Sequence, residues 1–228
     1  MASKIQILHE EVSPISGKIK VRQYYDVREL YVDGVKQSMW SDNVQRFEGT
    51  YWDGVLSVPL PEVVTKPRVL MLGAGGGTIP KLFSQKYPAS DVISIELDPV
   101  IIKVSKDFFD LDNFPNIKII EDDANRWLEK NNEIYRNYFD VICLDTYISD
   151  NFNFNTKNRN KIQNIIHYLS GNGTLITNRI YTDENNRELS SYKKELSNYF
   201  SSVNEIIIAG FSGLDNLLIY AQSPLAVN

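Results

Sequence analysis

The chain has 228 residues, of which 43% are hydrophobic and 23% are charged, a balance that is typical of a globular protein and excludes a disordered one. Its 24 basic and 29 acidic side chains give a net charge of −5 at pH 7, which argues against a broad nucleic-acid-binding surface and suits a cationic ligand better. One cysteine and two histidines predict neither an internal disulfide nor a zinc site.

The first 58 residues predict a small antiparallel β domain followed by a linker helix. Residues 18–22 alternate polar and apolar side chains, and residues 29–32 precede Asp33-Gly34, which is a typical hairpin turn. A helix is predicted around residues 47–56, and three prolines after it mark a connection. We therefore divide the chain into residues 1–58 and residues 59–228.

Residues 59–228 predict a second domain in which strands and helices alternate. The predicted strands are residues 68–72, 91–96, 116–120, 139–145 and 174–177, followed by a closing hairpin of residues 203–209 and 217–221. The predicted helices are residues 78–87, 98–109, 124–131, 162–169 and 189–196, and residues 151–160 are predicted as a loop. This order predicts a doubly wound, Rossmann-like parallel sheet with helices on both faces.

The cellular location is predicted from features that the sequence lacks. Its beginning shows no apolar signal core, and no run approaches 18 apolar residues. The lone Cys143 lies in an apolar strand, as expected in a reducing compartment. We therefore expect a cytoplasmic protein without a membrane partner.

A glycine-rich turn and three acidic residues predict a nucleoside site. The turn, residues 73–77, joins the first predicted strand of the second domain to a helix, where Gly73 and Gly75 allow a ligand to approach the backbone. Glu96, Asp123 and Asp145 lie at the ends of the next three strands, and such ends converge on one crevice in a parallel sheet. Glu96 is suited to bind ribose hydroxyls. For any one of these acids alone, a helix cap or a solvated loop charge is the favoured interpretation, and it is the combination of the turn and the three acids that predicts a site.

The glycine spacing disfavours a dinucleotide cofactor. The turn reads GAGGGT rather than G-x-G-x-x-G, and the acids at positions 123 and 145 have no part in the dinucleotide fingerprint.

Several segments resemble the spermidine synthase (polyamine aminopropyltransferase) family, over nearly the whole chain. RELYVDGVKQ at residues 28–37 resembles the hairpin with D-G-V-x-Q, and TYWDGVLSVP at residues 50–59 is similar to S-Y-Q-E-M-I-x-x-L-P. VLMLGAGGG resembles V-L-I-I-G-G-G-D-G, and SIELD resembles the strand with the ribose-binding Glu. DDA at residues 122–124 and FDVICLD at residues 139–145 resemble G-D-G and F-D-V-I-x-x-D.

The resemblance implies roles for individual residues. Glu96 would bind ribose, Asp123 and Ala124 would hold adenine, and Asp145 would be the catalytic acidic residue. Gln37 and Tyr51 would line the nucleoside and substrate pocket, while Trp52 is interpreted as a core residue.

The resemblance also implies the architecture and the ligands. It implies a strand domain joined to a seven-stranded methyltransferase-type sheet, in homodimers or homotetramers. Decarboxylated S-adenosylmethionine would be the co-substrate, a polyamine-like cation the acceptor, and no metal would be needed. Aminopropyl transfer requires a neutral amine, and a carboxylate such as that of Asp145 can orient it and take its proton.

Two departures from the family pattern concern acidic positions. Gly76 stands where the family has the Asp that binds the donor's amine, and Ile148 stands where it has the second Asp of D-x-x-D. Asp150 is a candidate substitute for the latter. An acid at position 76 would repel the carboxylate of intact S-adenosylmethionine, and glycine removes that repulsion.

Three functional hypotheses therefore stay open at this point. The first is an aminopropyltransferase, and the second is a methyltransferase that uses intact S-adenosylmethionine on an unknown small acceptor. The third is a non-catalytic nucleoside-binding homologue.

Overall fold

A computed structural model describes residues 5–61, 64–148, 151–152, 159–182, 185–210 and 215–225. Its first part is the predicted antiparallel sheet, with the strands in sequential order. The strands are β1 (Gln6–Ser13), β2 (Gly17–Tyr24), β3 (Val27–Val32) and β4 (Val35–Trp40). Asp33 and Gly34 have φ angles of 47° and 84°, which are the left-handed angles of a two-residue hairpin turn, so this predicted turn is confirmed.

The helix predicted around residues 47–56 is interrupted. A 3₁₀ turn covers Val44–Phe47, and helix α1 begins later, at Tyr51–Ser57. Gly49 lies between them at a φ of 73°, outside the helical region, and Thr50 caps α1 by accepting the Asp53 N–H through its hydroxyl. The break places Tyr51 in the first turn of α1.

The second part is a seven-stranded mixed sheet. Its strands are β5 (Arg68–Leu72), β6 (Asp91–Glu96), β7 (Ile117–Glu121), β8 (Phe139–Leu144), β11 (Leu169–Tyr181), β12 (Phe200–Ile208) and β13 (Asp215–Pro224). They lie in the order β12-β13-β11-β8-β5-β6-β7, and β13 runs antiparallel to the other six, which completes the predicted fold class with a closing hairpin. A separate two-residue ladder pairs β9 (Tyr147–Ile148) with β10 (Asn151–Phe152).

Both faces of the large sheet are buried, because alternate side chains of each central strand point to opposite sides. The helices after α1 are α2 (Thr78–Lys86), α3 (Pro99–Phe109), α4 (Ala124–Lys130), α5 (Arg159–Tyr168) and α6 (Asn186–Leu196). In β5, Val69 and Met71 pack with α1, α2, α3 and the N-terminal sheet, whereas Leu70 and Leu72 pack with α4, α5 and α6. Asp98 caps α3 as predicted, by accepting the Val100 N–H.

Several predicted boundaries differ from the structure, and two of them concern the region between β8 and the closing hairpin. Strand β11 is longer than residues 174–177, because it already pairs with β8 at Leu169 and resumes at Thr174 after a register shift that accommodates two glycines. The predicted loop of residues 151–160 contains β10 and the start of α5. Among the described residues, no helix is both long and apolar enough to cross a membrane.

Candidate functional site

A cleft lies at the carboxyl ends of the central parallel strands. Its empty volume is about 920 Å³, which includes solvent space at the open side of the cleft. The predicted site residues within the described part of the chain all line it: Gln37, Tyr51, Gly73, Gly75, Glu96, Asp123, Ala124 and Asp145. Asp150 lies outside the described residues. The structure thus brings together residues that are up to 108 positions apart, Gln37 and Asp145.

The glycine turn is shaped by its contact with the strand that carries the catalytic candidate. Gly73 has a φ of 92°, and a Cβ atom there would lie 2.3 Å from the main-chain oxygen of Asp145. The Asp145 N–H in turn donates to Leu72 O at 2.9 Å. Only glycine permits this approach, so the turn and Asp145 are held as one unit.

All five N–H groups of the turn already have acceptors within the protein. They donate from Gly73 to Ile95 O, from Ala74 and Gly75 to Glu96 Oε2, from Gly76 to Ser38 Oγ, and from Gly77 to Ala74 O, at 2.7–3.1 Å. A phosphate-binding glycine turn instead directs free N–H groups at its ligand. The turn is therefore built to hold an acidic side chain rather than a bound anion.

Glu96 is the last residue of β6, and its carboxylate accepts hydrogen bonds from the backbone of the glycine turn. Oε2 accepts the N–H groups of Ala74 and Gly75, and Oε1 accepts that of Asp98 at 3.1 Å. Burial raises the pKa of Glu96, and these backbone hydrogen bonds oppose the rise. Glu96 also lines the cleft, so a ligand hydroxyl there would share its carboxylate with these backbone donors.

The acids after β7 lie at the other wall of the cleft. Asp123 accepts the Arg126 N–H through Oδ1 at 2.9 Å and so caps α4, while it also lines the cleft beside Ala124. The helix-cap interpretation and the ligand interpretation are thus compatible for this residue. Asp122, which also lines the cleft, is held by the Arg126 guanidinium.

Asp145 follows β8 and receives one neutral donor on each oxygen. Asn178 Nδ2 donates to Oδ1 at 2.9 Å, and the Tyr51 hydroxyl donates to Oδ2 at 3.3 Å. Burial raises the pKa of Asp145 to about 6, and the two hydrogen bonds oppose the rise. Burial and the nearby Asp145 charge raise the pKa of the Tyr51 hydroxyl well above its ordinary value. Asp145 is therefore an ionised base near neutral pH, whereas Tyr51 stays a proton donor.

Sequence reasoning missed three contributors to this wall. Tyr147 lines the cleft, its hydroxyl donating to Asn178 O and accepting the Ile180 N–H. Asn178 holds Asp145, and its amide within a buried central strand was a signal that could have revealed it. Trp52, interpreted as core, is 2% exposed yet also lines the cleft.

The tip of the β1–β2 hairpin also reaches the cleft. The Ser13 hydroxyl donates to Asp98 Oδ2, which anchors the hairpin on the N-terminus of α3. Ile15 and Ser16, in the turn that follows, line the cleft. Nothing in the local sequence pattern distinguishes these residues from an ordinary surface turn.

The charged side chains among the described lining residues are all acidic: Glu96, Asp122, Asp123 and Asp145. No lysine, arginine or histidine is found in that described lining. Within the described ranges, no three or more His, Cys, Asp or Glu side chains lie close enough together to hold a metal ion. The cleft favours a positively charged ligand.

The sequence is similar to proteins of one known family. The sequence profile described as the spermine/spermidine synthase domain matches residues 48–214. A polyamine aminopropyltransferase of Vibrio vulnificus (strain CMCP6) is 25% identical over 181 residues, which are 76% of this chain and 58% of the relative. The chain spans about half the length of the curated relatives it matches.

Solved structures share the fold. A probable spermidine synthase from Corynebacterium glutamicum ATCC 13032 superposes with a TM-score of 0.77 at 19% identity, covering 98% of this chain and 81% of that one. Human methyltransferase-like protein 13, in complex with SAH, superposes with a TM-score of 0.61 at 20% identity, covering 76% of this chain and 82% of that one.

Proposed function

Because the chain belongs to the spermine/spermidine synthase domain family, we propose that it is a transferase that moves an aminopropyl group from decarboxylated S-adenosylmethionine to a polyamine-like amine. The observation that carries this proposal is the acidic cleft, whose described lining offers four carboxylates and no cationic side chain. The proposed donor carries a sulfonium and an amine, and the proposed acceptor is also a cation. Both are attracted to such a surface.

The choice of donor follows from the same charges. Intact S-adenosylmethionine carries a carboxylate that would meet acidic side chains, and the N–H groups of the glycine turn are already used. The glycine at position 76 removes one repulsive charge, but it supplies no attractive one. The decarboxylated donor therefore fits better.

The residue roles are proposed as follows. Glu96 accepts the ribose hydroxyls, Asp123 and Ala124 hold the adenine edge, and Gln37, Gly73 and Gly75 complete the nucleoside wall. Tyr51 lines the substrate end, and Asp150 is proposed as a second acid there. No step requires a metal ion.

Asp145 is proposed as the catalytic base. The amine's lone pair forms a bond to the methylene carbon next to the sulfonium, the carbon–sulfur bond breaks, and its electron pair neutralises the sulfur. The proton lost by the amine goes to Asp145, which is ionised at pH 7 or above because its pKa is about 6. The products are the elongated polyamine and methylthioadenosine.

Position 76 is a glycine in this chain, whereas the family pattern has an aspartate there. This difference favours one alternative, a methyltransferase that uses intact S-adenosylmethionine. Titration calorimetry with both donors distinguishes the two. We expect decarboxylated S-adenosylmethionine to bind at least tenfold tighter, about 1.4 kcal/mol, and to yield methylthioadenosine when a diamine is added.

The controls for this experiment are the two nucleoside products, methylthioadenosine and S-adenosylhomocysteine. Equal or reversed donor preference would transfer support to the methyltransferase. Binding of none of the four nucleosides would leave only a non-catalytic role.

The assembly and the division of the chain are also proposed. As its resemblance to the family implies, we expect a homodimer or a homotetramer in the cytoplasm, with the nucleoside-binding domain beginning at residue 59. Light scattering coupled to size-exclusion chromatography measures the assembly, and a monomer at micromolar concentration would contradict it.

A further inference from the structure

We propose that Asn178 is a positioning residue that occupies Oδ1 of Asp145 and thereby reserves Oδ2 for the proton of the attacking amine. The chemistry of this inference rests on the proposed function, whereas its geometry rests on the contacts of Asn178 alone.

The two hydrogen bonds on Asp145 are unequal. Asn178 is 6% exposed, and its Nδ2 lies 2.9 Å from Oδ1. The Tyr51 hydroxyl lies 3.3 Å from Oδ2, which is long for an O–H donor, and Tyr51 lines the open cleft. Oδ1 is therefore held by a buried group, and Oδ2 is the oxygen that an incoming amine can engage.

The backbone around Asn178 is held by strand β8 and by the Tyr147 hydroxyl. Strands β11 and β8 run parallel, and their last pair is Thr177 with Leu144. Asn178, which lies within β11, and Asp145, which follows the end of β8, are therefore neighbours. The Tyr147 hydroxyl donates to Asn178 O at 3.1 Å and accepts the Ile180 N–H at 3.2 Å. These two hydrogen bonds fix the backbone of β11 on both sides of Arg179, next to the amide that donates to Asp145.

The amide has an unfavourable feature that packing alone does not explain. Its Oδ1 is buried and receives no hydrogen bond from the part of the chain that the structure describes. Leaving a buried acceptor unpaired costs stability, and an apolar side chain of similar size would avoid that cost. The benefit of an amide at this position is therefore its N–H group, which serves Asp145.

The hydrogen bond has a measurable electrostatic consequence. An N–H that donates to a carboxylate stabilises the ionised form and so lowers the pKa. In Asp145 this effect opposes the rise caused by burial. Removing the Asn178 donor must therefore move the ionisation of Asp145 to higher pH.

The experiment compares Asn178→Leu with a matched control, Thr174→Val. Thr174 lies on the same strand and is fully buried, and its hydroxyl has no hydrogen-bond partner among the described residues. None of the described hydrogen bonds joins Thr174 to Asp145. The ionisation of Asp145 is followed by carbon NMR of labelled aspartate, with Asp145→Asn assigning the signal. The pH dependence of kcat/KM is measured in parallel.

We expect Asn178→Leu to move both the NMR midpoint and the acid limb of the rate profile upward by about one pH unit. The rate should fall near pH 6.5 and recover toward the wild-type rate near pH 9, while Thr174→Val leaves both curves in place. Asn178→Asp preserves the shape of the side chain and should also raise the midpoint, because it places a second carboxylate beside Asp145. This variant provides the same test if the leucine variant fails to fold.

A uniform loss of rate at every pH, with an unmoved NMR midpoint, would reduce Asn178 to a packing residue and overturn the inference. The NMR readout needs no turnover. A shifted midpoint in a protein without transferase activity would support the contact and refute the proposed function. Transferase activity with an unshifted midpoint would support the function and refute the role of Asn178.

Discussion

Lys81 is completely buried in the second turn of α2, a helix whose first turn lines the cleft. Its Nζ donates to Phe109 O at the end of α3 and lies 3.7 Å from the centre of the Trp40 ring in the N-terminal sheet. The ring of Phe114 lies 6.0 Å away. This one side chain therefore joins the small sheet to two helices of the large one, in surroundings that exclude water.

The charge of Lys81 is set by opposing effects. Burial lowers its pKa to about 6; Asp110 and Asp42 oppose the fall, while Arg28 adds to it. In the unfolded chain the pKa of a lysine is about 10.4. Between these values the unfolded protein binds a proton that the folded protein does not, so stability rises with pH, by up to about 1.4 kcal/mol for each pH unit.

The variant Lys81→Met tests this pH dependence, because it removes the titrating amine and keeps an apolar side chain of similar length. Unfolding in guanidinium chloride measures the free energy of unfolding of both proteins at pH 7 and pH 9. We expect the wild type to gain roughly 3 kcal/mol relative to the variant across this interval. Lys86→Met is the matched control, because Lys86 is exposed on the same helix, and its variant should keep a constant difference from the wild type.

A difference between wild type and Lys81→Met that stays constant from pH 7 to pH 9 would refute this reasoning. It would show that the Trp40 face and the Phe109 carbonyl keep the buried ammonium charged. Such groups do favour a cation, through the ring quadrupole and the helix C-terminal dipole.

Two further predictions concern the cleft. Asp145→Asn should keep the affinity for methylthioadenosine measured by calorimetry but lower turnover by about 100-fold or more, since it removes the proposed base; unchanged turnover would remove Asp145 from that role. A Cβ at Gly76 would lie 2.9 Å from Ser38 Cβ and 3.3 Å from Phe109 Cδ1, so Gly76→Asp alone should destabilise the protein in thermal unfolding. The paired variant Ser38→Gly/Gly76→Asp should recover only part of that stability, because it relieves the contact with Ser38 Cβ but also removes the Ser38 Oγ that accepts the N–H of residue 76. It should raise the preference for the decarboxylated donor about tenfold; an unchanged preference would show that the donor's tail lies elsewhere.

The elements that sequence reasoning found depend on local patterns. The apolar run of residues 68–72, the glycines after it and the acids after three strands are visible within a few positions of one another, and the direction of parallel strands carries those acids to one edge. Boundaries that depended on neighbours were wrong. Strand β11 begins at Leu169 because Phe139 of β8 pairs with it, and the glycines at positions 171 and 173 are accommodated in the ladder's register shift.

The sequence by itself determined the alternation of strands and helices, the glycine turn and the acidic strand ends, because these depend on side-chain periodicity and on backbone freedom at single positions. Only the tertiary structure decided that Ser38 occupies the Gly76 N–H, that Asn178 holds Asp145, and that the Lys81 ammonium lies over the Trp40 ring. These contacts join residues that are from 33 to 41 positions apart. Their partners are selected by how whole elements pack, and no local spacing in the chain encodes that choice.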